Sequence, residues 1–254
     1  MTGHPVRASL VFALVLVALS AVGYVVQQAA YTRPPLLDLT PSTGAQPPPD
    51  VAPAPVVARP RLASATGVPQ IDPAWLSRNA AASGVPEVAL RAYARAELEA
   101  PRGCGLGWTT LAGIGWVESQ HGTLGDRTLG EDGHSSSPIL GPALDGTGGF
   151  KAIRATAESQ QWHGDPTWDH AFGPMQFISS TWSAWAADGD GDGVADPNDI
   201  DDAALAAARY LCAGGRDLRS GSGWTAGVLS YNNARVYLDA VHSAASSYAE
   251  RTAA

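Results

Sequence analysis

The stretch Trp108-Thr-Thr-Leu111-Ala-Gly-Ile114-Gly115-Trp116-Val117-Glu118-Ser119-Gln-His121-Gly122 reads as one helix ended by glycine. At about 100° per residue, Trp108, Leu111, Ile114, Gly115 and Glu118 share a face. The acid therefore continues the apolar stripe instead of lying opposite it. Burial disfavours the charged form of a carboxyl and raises its pKa, which suits a general acid working near neutral pH. The competing reading is a glutamate at a helix end that bends out to solvent.

Helical signals dominate on both sides of this stretch. Asp72-Pro73 is an N-cap followed by proline at the first helical position, which opens a helix running to about residue 82. Residues 86–100 have helical spacing through Val88, Leu90, Tyr93, Ala94 and Leu98, and Pro101 and Gly103 end them. Further helices are expected at about 180–187, 201–213, 223–232 and 234–250. Residues 123–175 are rich in Gly, Ser, Asp and Pro and weakly periodic, with a short hairpin expected near 150–170. A stretch that long without regular structure usually has a function or a cofactor holding it. The expected fold is mainly α, one domain over residues 69–254.

The 254 residues carry 16 Lys and Arg against 24 Asp and Glu, a formal charge of −8, and no cationic run. A sequence-independent grip on nucleic acid needs clustered cations, so that partner class is excluded. His4 and Arg7 precede an uninterrupted apolar run from Ala8 to Val26, long enough to span a hydrocarbon core at about 1.5 Å per residue. The favoured reading of residues 1–31 is a cytoplasmic stub and a transmembrane anchor with the N-terminus inside. The alternative is a signal peptide cleaved after Ser20 or Ala30. Either way the remaining chain is exported. Residues 32–68, rich in Pro and Ala, read as a semi-extended linker.

In an oxidising compartment the only two cysteines, Cys104 and Cys212, are expected to form a disulfide; the alternative is two buried thiols. Closing a loop of about 100 residues stabilises by roughly 4–5 kcal/mol in the chain-entropy model.

Asp188-Gly-Asp190-Gly-Asp192-Gly193-Val194-Ala-Asp196-Pro-Asn-Asp199 has the spacing of an EF-hand calcium loop. Asp188, Asp190 and Asp192 take positions 1, 3 and 5, Gly193 the turn, Val194 the carbonyl, Asp196 position 9 and Asp199 the last position. Asp199 stands where a longer bidentate Glu is usual. The alternative is a solvated acidic loop, but so many carboxylates repel one another without a cation. The expected role is structural Ca2+, with no cofactor for catalysis.

Phe172-Gly-Pro-Met-Gln176-Phe-Ile-Ser-Ser179-Thr-Trp182 combines a turn, an amide and aromatic rings, and Gln176 could hydrogen-bond a sugar with ring faces beneath it. A turn entering a core helix reads equally well. Tyr231-Asn232 closes a helix carrying Trp224, Val228 and Leu229, and its hydroxyl and amide need partners if buried. His121 and His134 have no second His at helical spacing, so neither reads as a metal ligand.

Taken in order and spacing, Glu118-Ser119-X-His-Gly122, Gly173-Pro-Met-Gln176-Phe-X-X-Ser-Thr181-Trp182 and Tyr231-Asn232 resemble the lytic murein transglycosylases of the B type. These are lysozyme-like enzymes related to glycoside hydrolase family 103, and the resemblance covers roughly residues 70–250. It implies a lysozyme-like domain, peptidoglycan glycan strands as substrate, and a place in the bacterial cell envelope outside the cytoplasm. It also implies that Glu118 is a single catalytic acid and base, with Ser119, Gln176, Tyr231 and Asn232 lining the glycan cleft. Trp116 and Ser179 depart from the expected pattern. In the implied chemistry Glu118 protonates the β-1,4 oxygen between N-acetylmuramic acid and N-acetylglucosamine. It then deprotonates the sugar's own 6-hydroxyl, giving a 1,6-anhydro end. The alternatives are a lysozyme-type hydrolase, with Asp126, Asp132, Asp145 or Asp169 as a second carboxylate, and a non-catalytic glycan-binding module.

Overall fold

The computed structural model describes residues 47–56, 67–148 and 151–253. The expected anchor at residues 8–26 lies outside them. Among the described residues no helix is long and apolar enough to cross a membrane.

Helix α1 (Pro73–Ser83) starts where Asp72 accepts the amide of Trp75 at 2.7 Å and stops at Gly84, whose φ is 79°. Helices α2 (Glu87–Glu99) and α3 (Trp108–Ser119) follow. A small antiparallel sheet, β1 (Leu140–Ala143) with β2 (His170–Phe172), encloses α4 (Ser159–His163). The chain then returns to helices: α5 (Ser179–Trp185), α6 (Ile200–Leu211), α7 (Gly221–Tyr231) and α8 (Arg235–Thr252).

Helix α3 is the centre of the molecule. The single stripe expected from its periodicity is an underestimate, because Trp108 through Gly115 are all buried. A helix that is apolar on all sides is covered on all sides. Glycine makes one of those contacts possible: a Cβ on Gly113 would lie 2.8 Å from the carbonyl oxygen of Val241 in α8. Helix α2 is tied to α6 by charge. Asp201, almost fully buried, meets Arg95 at 2.9 Å and Arg91 at 3.4 Å. Cys104 and Cys212 form the expected disulfide, with Cα atoms 5.5 Å apart, fastening the approach to α3 onto the end of α6.

Two expectations need correction. The hairpin expected near 150–170 is only an isolated bridge, Arg154 to Trp168, and the true sheet pairs Leu140 with Phe172 and Ala143 with His170. Gly141 and Pro142 in β1 are residues that strands usually avoid, so its sequence carried no strand signal. Part of the stretch expected as linker also touches the domain. Val56 bridges Ile71, the amide of Asp72 donates to Pro55 at 2.9 Å, and Ala54 is buried against Ile71 and Ala94. An Ala-Pro stretch offers carbonyls and small side chains, which suffice for packing beside an existing helix pair.

Candidate active site

Glu118 occupies the last turn of α3, and Gln120, His121 and Gly122 then take φ of 52°, 60° and 85°. Three left-handed residues in succession swing the chain off the helix axis and leave the Glu118 carboxyl facing a cavity of about 240 Å³. The carboxyl is enclosed by protein and reaches solvent only in part. Its Oε1 accepts a hydrogen bond of 2.6 Å from the hydroxyl of Tyr237 in α8. Burial pushes its pKa up to about 7, opposed by that hydrogen bond, which favours the ionised form. Half-protonation near neutrality suits a group that must give and then take a proton.

The cavity walls come from β1, β2, the turn after β2, and helices α5, α6 and α7. Gln176 sits in a left-handed conformation with φ of 50°. Its Nε2 donates to the carbonyls of Gly173 at 2.9 Å and Ile139 at 3.3 Å. No described protein donor reaches its Oε1, and the side chain lines the cavity. Tyr231 donates its hydroxyl to the carbonyl of Met175 at 2.8 Å, which holds the ring against Phe177. Asn232 follows it as the extended cap of α7 and also lines the cavity. Glu118, Gln176, Tyr231 and Asn232, distant in sequence, therefore share one cleft.

Ser119 does not join them. It is almost fully buried, donates to the carbonyl of Pro174 at 2.6 Å and accepts from the amide of Gly122 at 2.8 Å. Next to an acid at a helix end, 100° of rotation turns its side chain out of the cleft and into the turn behind it. It positions the loop that carries Gln176. His121 is likewise internal, held between the hydroxyls of Tyr93 at 3.1 Å and Tyr248 at 2.9 Å, and burial lowers its pKa to about 3. His134 lies 3.4 Å from Asp196.

None of the cavity-lining residues is a second carboxylate. Asp126, Asp132 and Asp145 lie elsewhere. Asp169 is fully buried, 3.1 Å from His163 Nε2, and accepts the hydroxyl of Ser179 at 2.5 Å. That bond gives Ser179 a structural role at the start of α5. Trp116, 46% exposed, stacks near His121 outside the cleft.

Sequence reasoning missed Tyr237, Tyr210 and Thr181. Tyr237 has the spacing of a core residue of α8, and only the packing of α8 on α3 reveals its carboxylate partner. Tyr210 donates its hydroxyl to the carbonyl of Ser230 and lines the cleft beside Tyr231.

The acidic loop brings Asp188 and Asp190 of the expected set together with Asp202, which was not in it. Carboxylate oxygens of Asp188, Asp190 and Asp202 lie within 4.8 Å of one another. Asp199 is instead the N-cap of α6, accepting the amide of Asp201 at 2.8 Å. Asp192 is turned onto the amide of Val194, and Asp196 onto that of Asn198. Asp202, three residues beyond Asp199, accepts the amides of Gly189 and Asp196 at 2.6 and 2.8 Å, closing the loop from the helix side. Burial, with Asp190 and Asp188 adding repulsion, raises its pKa to about 6. Three hard oxygen donors that destabilise one another fit a hard divalent cation.

Residues 152–229 match the family model of the transglycosylase SLT domain. The matched stretch contains Gln176 and the acidic loop, while Glu118, Tyr231 and Asn232 flank it. A comparison with curated protein sequences finds no match. Among solved structures the chain is similar to the Escherichia coli lytic transglycosylase SLT35 in complex with bulgecin A, at 16% identity and a TM-score of 0.43. That match covers 72% of this chain and 76% of the other. The calcium complex of SLT35 gives the same identity, TM-score and share of this chain, and 77% of the other. Residues 152–229 are thus similar to a transglycosylase SLT segment, and the cleft is lined by residues of this stretch together with others on either side of it.

Proposed function

We propose that the chain is a lytic transglycosylase that cleaves peptidoglycan, with Glu118 as its one acid and base. The observation that carries this is a raised, half-buried carboxyl in a cleft lined by no second carboxylate. Glycosidases that use two carboxylates hold them about 5–5.5 Å apart when retaining and roughly 6.5–9.5 Å apart when inverting. Here the rest of the cavity lining offers amide, hydroxyl, aromatic and aliphatic groups and no carboxylate.

Glu118 in its acid form protonates the β-1,4 oxygen between N-acetylmuramic acid and N-acetylglucosamine, and the C1–O bond breaks. The carboxylate left behind is stabilised by the Tyr237 hydroxyl. It removes the proton from the 6-hydroxyl of the same muramyl ring as that oxygen attacks C1. The product is a 1,6-anhydro end and Glu118 is protonated again. Because the nucleophile belongs to the substrate, the second step is intramolecular and gains from proximity. The order and spacing of the Glu118, Gln176 and Tyr231–Asn232 segments support the B type among these enzymes.

The same reading includes a structural calcium ion held by Asp188, Asp190 and Asp202. When bound it would neutralise the loop and fasten the segment after α5 to α6, two helices that wall the cleft. The apolar run at residues 8–26 supports placement on the outer side of the cytoplasmic membrane, with residues 69–254 as the catalytic domain.

The test is Glu118→Gln, which keeps the shape and removes the titrating group. This variant is expected to release no soluble glycan from purified sacculi while still sedimenting with them. Wild-type protein that binds sacculi and releases nothing would make the domain a glycan-binding module instead.

A further inference from the structure

The cleft continues beyond the residues that the proposed chemistry uses. Thr181 lines the cavity from α5, and Trp185 lies four residues later on the same helix. Residues four apart share a helix face and stack one turn above the other, so Trp185 extends the wall that Thr181 begins. From the other side, Tyr210 lines the cavity, and the centroid of its ring is 5.8 Å from that of Trp185 at 47°. Tyr210 in turn is 5.7 Å from Tyr231. Trp185, Tyr210 and Tyr231 therefore form a continuous row of half-buried rings, of which Tyr210 and Tyr231 line the cavity and Trp185 adjoins Tyr210 beyond its lining.

The polar atoms of this row divide in an informative way. The hydroxyls of Tyr210 and Tyr231 are committed to the carbonyls of Ser230 and Met175, which fixes both rings. The indole N–H of Trp185 has no protein acceptor among the described residues. Unlike those of Trp108 and Trp162, it is not enclosed by protein. A half-buried indole with a solvent-facing donor presents an apolar face and one hydrogen bond, the combination that amphipathic aromatic rings bring to wet interfaces. A pyranose ring has the complementary pattern, with C–H groups on one face and hydroxyls at its edge.

We infer that Trp185 is the platform of a distal glycan subsite, binding a sugar ring beyond those at Glu118 and making the protein favour longer glycan chains. This rests on reading the cleft as a glycan site. The substrate class that follows is a glycan strand longer than the disaccharide around the scissile bond, held along the Tyr231–Tyr210–Trp185 row.

The experiment measures the affinity of the Glu118→Gln protein for N-acetylglucosamine oligomers from disaccharide to hexasaccharide, with and without Trp185→Ala. The expected result is that Trp185→Ala leaves disaccharide affinity unchanged and weakens binding of the longer oligomers by roughly two- to tenfold. Trp185→Phe should retain most of the gain with length. An identical length dependence in the Ala and Trp185 proteins overturns the inference. So does a loss that is equal at every length in both variants, since that marks a packing role. If the Glu118→Gln protein itself binds no oligomer of any length, the glycan reading of the cleft fails, and the subsite falls with it.

Discussion

Tyr237 in α8 donates its hydroxyl to Oε1 of Glu118 at 2.6 Å across 119 residues of sequence. This bond joins the two helices that pack most intimately in the core to the one carboxyl in the cleft. It acts on the acid's protonation in the direction opposite to burial. The protein therefore holds Glu118 near neutrality by two opposed effects, desolvation and a single donor.

Removing that donor should shift the pH profile. The first step requires protonated Glu118, so kcat/KM should be high below about 7 and fall as pH rises through it. Tyr237→Phe removes a bond that stabilises the carboxylate, a loss of roughly 1.5–3 kcal/mol at most for a charged acceptor. The descending limb should move upward by about one to two units, and kcat should fall because the base form is less supported. Initial rates of glycan release against pH check this. A limb that stays in place or moves downward would disconnect Tyr237 from the acid.

Ser119 should behave as a positioning residue. Ser119→Ala leaves the amide of Gly122 and the carbonyl of Pro174 without their partner, a cost of roughly 1–3 kcal/mol for buried groups. Thermal unfolding should occur at lower temperature, and KM should rise through a loosened Gln176 turn. Gln176→Ala should raise KM and also lower the unfolding temperature, since it strips the buried carbonyls of Gly173 and Ile139 of their donor. If Ser119→Ala alters affinity with an unchanged melting temperature, the serine meets substrate after all.

The acidic loop yields a test that separates Asp202 from Asp199. A chelator should lower the melting temperature at neutral pH, and added Ca2+ should restore it. Asp202→Asn should abolish that response, whereas Asp199→Asn should keep it. In chelator the pH trend has a definite sign. Asp202, Asp199 and Glu97 have folded pKa values raised to about 6, 7 and 7, with burial the first cause in each. Their stabilising effect is full below the ordinary carboxylate range and is lost as pH rises through 6–7. The calcium-free domain should therefore unfold at higher temperature at pH 5 than at pH 7.5, and calcium should flatten the difference. A melting temperature that ignores chelator would remove the structural ion.

What could be read from the sequence follows the range of the interactions. One buried face of α3 and the presence of Glu118 on it were legible because a run of small and apolar residues broken by one acid is a local pattern; its burial on all sides was not. The helix boundaries from α5 to α8 were legible for the same reason. The approach of Asp202, and not Asp199, to Asp188 and Asp190 was not. It depends on Asp199 spending its carboxylate on the N-terminus of α6, so that Asp202, almost one turn on, points back into the loop. Ser119 was misplaced because adjacency to a catalytic acid in sequence means a different direction on a helix. Tyr237 was invisible because its role exists only where α8 crosses α3.

If one carboxyl does both proton transfers, the product carries the mark of it. Purified sacculi digested by the protein should yield muropeptides ending in 1,6-anhydro-N-acetylmuramic acid, lighter by one water than the hydrolysed species. Their formation should disappear in Glu118→Gln. Products carrying hydrated reducing ends, with no anhydro species, would contradict the account and require a second carboxylate or an activated water in the cleft.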